Sequence, residues 1–591
     1  MTNKKYPKIE DKDFSEKIND QFKKFTIPPK PKKHEPIEKL CNPVNYQLQL
    51  PQKFVAEYIN PDTPYKSLLI YHKIGAGKTC AAIQIAEKWK NSRDIVVVLP
   101  ASLIPNFRNE LRSPCAGNVY LTLHERNKLS KLSPSDLEYK NIIKESNKRI
   151  DKVYSIYSYN KFIELIKDGN ISLKNSVLII DEIQNMVSEI GTFYSNLHKL
   201  IYDSPASLRI VLMSATPMFD KPSEIALTIN LLRPNKELPT GLEFNNTFMN
   251  IIKTSQGEVK RICIKNIDLF KQMIKGYVSY FRGAPPYLFP TMKIKYVECE
   301  MSAFQYDIYK NIIKNDKSEY RILKSIEKSK NRHKIKTNDD DVLDLPNNFY
   351  LGSRFVSNVV FPNKLIGEAG FKSFTGKAIT QNLETYSPKF SSILKKIDKS
   401  YGKIFVYSSF KGHAGIASFK KVLDEMGYKS YAEHGEGKKR YAIWSGDENN
   451  DTKAEIQGVY NQKKNLDGSR LKIILGSPSI KEGVSLFGVQ QVHIIEPYWN
   501  KSRLDQIIGR ASRFCSHKDM DEDKRHVKVY IYIAVHKKED MTVDQHIQKL
   551  SINKTKIINF FNTAIQEAAV DCTINKNANV YPGEDDITCM M

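Results

Sequence analysis

The chain has no run of about 18 consecutive apolar residues, the length a membrane-spanning helix needs, and its opening, MTNKKYPKIEDKDF (Met1–Phe14), has no apolar core of a secretory signal. These absences predict a soluble, cytoplasmic protein with no membrane partner. Its eight cysteines (Cys41, Cys80, Cys115, Cys263, Cys299, Cys515, Cys572, Cys589) include no C-x-x-C pair. That scatter suits reduced thiols better than a disulfide scaffold. His517 and His526 lie near Cys515, but no second C-x-x-C or H-x-x-x-H completes a zinc site, so a loop at a strand end is the expectation. Acidic residues are also short: 66 Asp+Glu face 91 Lys+Arg, a formal charge of +25. Part of this reflects a composition rich in Lys, Asn and Ile together. A field of that size still attracts polyanions, nucleic acid first.

What is present is enough to fold. At 591 residues and 41% hydrophobic content, the chain should form about two to four domains rather than one core. Residues 1–44 read as a flexible basic arm, because KKFTIPPKPKKHEP (Lys23–Pro36) is dense in charge and proline. Over 45–235, SLLIYH (Ser67–His72), DIVVVLP (Asp94–Pro100), SVLIID (Ser176–Asp181) and LRIVLMSAT (Leu208–Thr216) are short apolar runs with helix-compatible stretches between them. Buried parallel strands alternating with helices give this pattern, with functional loops at the strands' C-terminal ends. Residues 236–387 read as a mixed linker or insert, charge-dense from Lys314 to Pro346. Over 388–536 the strand-like runs return in GKIFVYSSF, LKIILGSPS, VHIIEP and VKVYIYIAV, and 537–591 reads as a helical tail. The fold class expected is α/β, two parallel-sheet domains in tandem.

Several motifs sit where those strands end. YHKIGAGKTC (Tyr71–Cys80) fits the phosphate-loop pattern G-x-x-x-x-G-K-[ST] except at its opening position, which holds His72. Gly75 and Gly77 let backbone N–H groups turn toward a triphosphate, Lys78 adds charge, and Thr79 offers a hydroxyl to Mg²⁺. A chance G-x-G-K-T in a lysine-rich chain is the bland alternative. VLIIDEIQN ends a strand in Asp181, to hold the metal through water, and Glu182, to orient and deprotonate the attacking water. In isolation such acids are often only solvated. In LMSATPMFD, Ser214 and Thr216 are suited to bonding with Asp181–Gln184 and sensing the γ-phosphate, though an ordinary turn before Pro217 would look the same. RLDQIIGRASR (Arg503–Arg513) repeats Gln506, Arg510 and Arg513 at helical spacing, which would put two guanidiniums on one face to neutralise a transferred phosphoryl group. A solvated basic face is the competing reading. In GSPSIKEGVSL (Gly476–Leu486), hydroxyls and amides could meet a nucleic-acid backbone, with Glu482 and Gly483 shaping the turn.

In this order the motifs resemble superfamily 2 helicases and translocases, in which two RecA-like domains clamp ATP between them. The first loop position is commonly not glycine there, so HKIGAGKT looks like a variant of the site. LQLPQKFVAEYI resembles the upstream adenine-sensing segment, with Gln52 as its glutamine. YAIWSGDE, VHIIEPYWNKSRLDQIIGRASRFCSH and AAVDCTINKNAN resemble the poxvirus-type group. That group includes nucleoside triphosphatase I and the small subunit of the early transcription factor, with relatives in other large cytoplasmic DNA viruses and yeast linear plasmids. The likeness spans most of Tyr46–Asn577. It departs at Gln184, where poxviral members usually carry His; glutamine keeps both a donor and an acceptor.

The resemblance implies a nucleic-acid-driven ATPase of viral transcription, placed in the viral factory or virion core. ATP would bind through Gln52, His72, Gly75, Gly77, Lys78 and Thr79, with Mg²⁺ on Thr79 and Asp181. Glu182, Gln184, Gln506, Arg510 and Arg513 would serve hydrolysis, and Ser214 and Thr216 its coupling. Nucleic acid, DNA in preference to RNA, would lie near Ser102, Ser158, Ser409 and Ser479, beside RNA polymerase or other transcription subunits. A strand-separating helicase and a non-hydrolysing binding subunit are the alternatives.

Overall fold

Short runs of Val, Ile and Leu become strands buried on both faces, and the helix-compatible segments between them supply the cover. The computed structural model describes residues 6–29, 36–41, 46–73, 75–133, 136–188, 191–253, 259–315, 350–481, 484–581 and 583–590. Two compact units emerge, residues 1–285 with 556–591 and residues 286–555. The division falls inside the region expected as a linker.

In the first unit, β1 (Ser67–His72), β2 (Asp94–Leu99), β3 (Tyr154–Ser158), β4 (Ser176–Ile180) and β5 (Arg209–Met213) carry the motifs. A separate antiparallel pair follows, β6 (Met249–Lys253) and β7 (Val259–Ile264), then β8 (Val278–Phe281). The six-stranded sheet runs β3-β2-β4-β5-β1-β8 and all its pairings are parallel. Every C-terminal strand end therefore lies on one edge, which gathers the motifs there. Leu68, Leu69, Ile70, Val97, Ile179 and Leu212 are fully buried, each contributing about 1.5–3 kcal/mol.

Residues 6–29 are not a free arm. Helix Phe14–Gln21 and the turn after it bury Phe14, Ile18, Phe22 and Phe25 in the same core as Phe54 and Tyr58. Phe22 meets Phe54 edge-on with ring centroids 5.3 Å apart. The spacing of four, four and three residues puts these side chains on one face, a pattern hidden by the charges between them. The chain's far end joins this unit too, with Val570 and Ile574 in its core.

The second unit contains β9 (Thr291–Glu300), β10 (Lys403–Tyr407), β11 (Lys429–Ser430), β12 (Arg440–Trp444), β13 (Ile473–Gly476), β14 (Val489–Ile494) and β15 (His526–Val535). Its seven strands run β11-β12-β13-β10-β14-β15-β9, again all parallel. The edge strand β9 comes from the expected linker and pairs with β15 from Thr291↔His526 to Glu300↔Val535. Beneath the sheet, Lys389 and Asp544 form an ion pair of 2.6 Å with both side chains 1% exposed. Asn358 joins it, accepting from Lys389 Nζ and donating to Glu496 Oε2 at 3.0 Å. Breaking one partner of so buried a pair would cost about 3–5 kcal/mol.

The cysteines correct the sequence reading: Cys80–Cys115 and Cys572–Cys589 are disulfides, and Cys263 and Cys299 are free thiols. Folding brings together pairs 35 and 17 residues apart, which spacing alone does not reveal. His517 is buried with Nδ1 on Ser516 Oγ (2.9 Å) and Nε2 on the Val489 carbonyl (2.8 Å), so both ring nitrogens are already used. Among the described residues no helix is long and apolar enough to cross a membrane.

Candidate nucleotide and nucleic-acid site

β1 is buried along its whole length and delivers the chain to the phosphate loop. Gly75 (φ +82°) and Gly77 (φ +70°) both adopt the left-handed region, where a side chain would be strained. At Gly77 the neighbour forbids one as well: a Cβ would lie 2.4 Å from Gln52 Nε2. Helix Lys78–Trp89 starts immediately after, so its N-terminal N–H groups and positive dipole end lie at the loop.

Gln52 is buried and meets this loop directly. Its Nε2 donates to the Gly77 carbonyl (3.2 Å), while its Oε1 accepts from the Gln49 amide (2.8 Å) at the start of helix Leu50–Tyr58. The upstream helix is thereby fastened to the phosphate loop. His72 is fully buried, and its Nε2 lies 2.9 Å from Ser279 Oγ on β8. His72 thus makes a specific side-chain bond at the loop's opening position. Burial, with the charge of Lys78 beside it, pushes the imidazole down to about 3, so the ring is neutral.

At the end of β4, Asp181 is 8% exposed and its Oδ1 accepts the Glu182 amide at 2.9 Å. Glu182 sits at φ +50°, ψ +48°, a strained conformation for a residue with a side chain, costing about 1–3 kcal/mol and concentrated at functional sites. Tyr159, which sequence reasoning missed, donates its hydroxyl to the carbonyls of Asp181 and Glu182, the latter at 3.0 Å, and so braces that conformation. Only a fold could show this, because Tyr159 begins the helix after β3, a strand that β2 separates from β4 in the sheet.

Gln184 uses both ends of its amide. Nε2 donates to Glu182 Oε2, and Oε1 accepts from Ser214 Oγ at 2.7 Å. Ser214 Oγ also accepts the Thr216 amide at 2.9 Å. The acid at the end of β4 is thus wired to the loop after β5. Asp181 and Thr79 offer hard oxygen donors in the same unit, the chemistry Mg²⁺ takes.

Ser102 follows β2 and Ser158 ends β3 on the motif-bearing edge of their sheet; Ser102 is exposed, and Ser158 caps the next helix by accepting from the Lys161 amide. Ser409 and Ser479 follow β10 and β13 in the second unit, and the Ser409 amide donates to Glu496 Oε1. Gln506 and Arg510 are four residues apart on helix Lys501–Ala511. Arg513 corrects the helical-spacing reading. Ser512 leaves helical geometry at φ −118°, ψ 72°, so Arg513 lies beyond the helix, with its amide donating to Ser516 Oγ at 3.2 Å. Glu482 and Gly483 lie outside the described residues. Cys80, Glu110 and Cys115 are the one cluster of metal-ligand types among the described residues, but the two sulfurs are bonded to each other.

Two parallel-sheet domains, with a glycine-cornered lysine loop and a strand-end Asp-Glu pair in the first, define a RecA-like nucleoside triphosphatase. The sequence matches the SNF2-related domain over residues 44–347 and the helicase conserved C-terminal domain over residues 388–515. A protein of Acanthamoeba polyphaga mimivirus, named as a candidate ATP-dependent RNA helicase, is 51% identical and covers 99% of both chains. A termination factor NPH-I homolog of African swine fever virus is 26% identical over 86% of this chain and 77% of its own. The helicase domain of Pyrococcus furiosus Hef aligns over 82% of this chain and 94% of that one, with 13% identity and a TM-score of 0.38, too loose a likeness to carry an argument. The chain belongs to the SNF2-related family of ATP-dependent helicases and ATPases found in large DNA viruses.

Proposed function

We propose that this chain is a nucleic-acid-stimulated ATPase that moves along DNA during viral transcription. The hydrogen-bonded path Glu182–Gln184–Ser214 carries the reading, because it joins the group that would activate water to the loop that would report on the γ-phosphate. In this account the loop amides at Gly75–Lys78 bind the phosphates, Gln52 and His72 hold the loop, and Thr79 and Asp181 hold Mg²⁺, which would neutralise charge on the β- and γ-oxygens. Glu182 takes a proton from the attacking water. Arg510 and Arg513, with Gln506 beside them on the sequence, supply positive charge to the transferred phosphoryl group.

Ser102, Ser158, Ser409 and Ser479 hold the nucleic-acid backbone through hydroxyls and amides, so binding is insensitive to sequence and weakens with salt. The chain's +25 charge draws the polyanion in. The place of action is the host cytoplasm, in the viral factory or virion core, beside RNA polymerase. The name of the mimivirus relative favours a second reading, a helicase that separates RNA strands. ATP hydrolysis measured with duplex DNA, single-stranded DNA and RNA, alongside displacement of an annealed oligonucleotide, separates the two. Stimulation by DNA without displacement is expected here; displacement of RNA strands would establish the second reading instead.

A further inference from the structure

We propose that Asp571, in the chain's C-terminal segment, is a positioning residue for the phosphate loop, acting through Ser279 and His72. The inference rests on the nucleotide-site reading above and extends it to a part of the chain that carries no nucleotide motif.

Three buried side chains form one path. His72 is the last residue of β1, and its Nε2 lies 2.9 Å from Ser279 Oγ. Ser279, on the neighbouring strand, donates that hydroxyl to Asp571 Oδ2 at 2.6 Å. Asp571 precedes helix Cys572–Asn579 and is fixed by two further donors, the Tyr280 amide to Oδ1 (2.9 Å) and Asn575 Nδ2 to Oδ2 (2.8 Å). None of the three is solvent-exposed.

Proton counting sets the polarity. Burial raises the Asp571 carboxyl to about 7; where it is ionised, Ser279 gives its one hydroxyl proton to Asp571, and the Ser279 oxygen accepts the Nε2–H of His72. The neutral ring then carries a bare Nδ1, and that atom is buried with no hydrogen-bond partner among the described residues. Native folds rarely leave such an acceptor unpaired. The path holds the ring at one orientation and one tautomer where the strand turns into the loop. The charge of Lys78 acts on the same ring.

The test uses the full chain and the variants S279A, S279T, D571N and K78A. ATP turnover on duplex DNA is measured against ATP concentration, with rates divided by sites titrated with a fluorescent ATP analogue and with melting midpoints recorded. Ser279→Ala is expected to raise KM for ATP about tenfold while kcat per site stays within about threefold, a split that simple loss of folded protein does not produce. Ser279→Thr keeps the hydroxyl and should return KM to within about twofold. Asp571→Asn must present an N–H to Ser279 or Asn575 and should raise KM as Ser279→Ala does. Should Ser279→Ala not fold, the isosteric Asp571→Asn decides by the same criterion. Parental KM in Asp571→Asn, or equal impairment of Ser279→Ala and Ser279→Thr, overturns the proposal. K78A separates the two levels: full turnover in K78A sinks the nucleotide site itself, whereas an inactive K78A beside a normal Asp571→Asn sinks only the positioning role.

Discussion

Replacing Ser214 by alanine removes two hydrogen bonds at once: its donation to Gln184 Oε1 at 2.7 Å and its acceptance of the Thr216 amide at 2.9 Å. Ser214 is fully buried and Gln184 is 7% exposed, so the Gln184 oxygen has little water to replace its lost donor. A buried polar group left unsatisfied costs about 1–3 kcal/mol. Thr216 is half-buried and recovers part of its loss from solvent, which places the whole effect near 2 kcal/mol. Against a domain stability of about 5–15 kcal/mol, the variant folds. Because Gln184 binds Glu182 with its other end, losing Ser214 also loosens Glu182, the proposed general base. Basal ATP turnover should stay within about threefold, and its stimulation by duplex DNA should fall about tenfold or more. Urea unfolding of S214A, Q184A and the double variant gives the coupling directly, expected at about 1–2 kcal/mol. Additivity within about 0.5 kcal/mol, together with intact stimulation, would refute the wiring between the two loops.

Three other substitutions test separate parts of the account. Gly77→Ala puts a Cβ at φ +70°, 2.4 Å from Gln52 Nε2; the left-handed strain is about 1–2 kcal/mol, and ATP affinity measured by titration should fall at least about tenfold in a folded protein. Phe22→Ala should lower the unfolding free energy of the first unit by about 3–5 kcal/mol, where a free N-terminal arm would give no change. Burial pushes Lys403 from 10.5 down to about 7, with its Nζ donating to the Tyr460 carbonyl at 2.7 Å. Between those values the unfolded chain binds the extra proton, so the second unit gains stability as pH rises from about 7 to 10, with a limiting slope of about 1.4 kcal/mol per pH unit. Lys403→Met should remove that slope in pH-resolved denaturation curves.

Local signals made much of the first unit legible. A buried parallel strand is a contiguous apolar run and its loop residues come directly after it, so the positions of Lys78, Asp181 and Ser214 could be read from spacing alone. Gly77 was legible as a turn residue, but its second constraint, the Gln52 amide against its α-carbon, depends on a helix 25 residues upstream. Long-range partners left no local trace. Ser279 and Asp571 are 292 residues apart, and although Asp571 falls in the AAVDCTINKNAN stretch, nothing local ties it to Ser279. The aromatic face of Phe14, Phe22 and Phe25 was masked by lysines that face solvent, since composition averages over both faces of a helix. Arg513 was misplaced because three residues at helical intervals do not show where the helix stops, and Ser512 ends it.

Hydrolysis that depends on both Glu182 and nucleic acid is the core of the account. ATP turnover of the parent and Glu182→Gln, each with and without duplex DNA, tests it most directly, because the substitution keeps shape and nucleotide binding but removes the base. The account predicts strong DNA stimulation in the parent and loss of about 100-fold or more in the variant with ATP still bound. Equal turnover in the two proteins, or a parental rate indifferent to DNA, would contradict it.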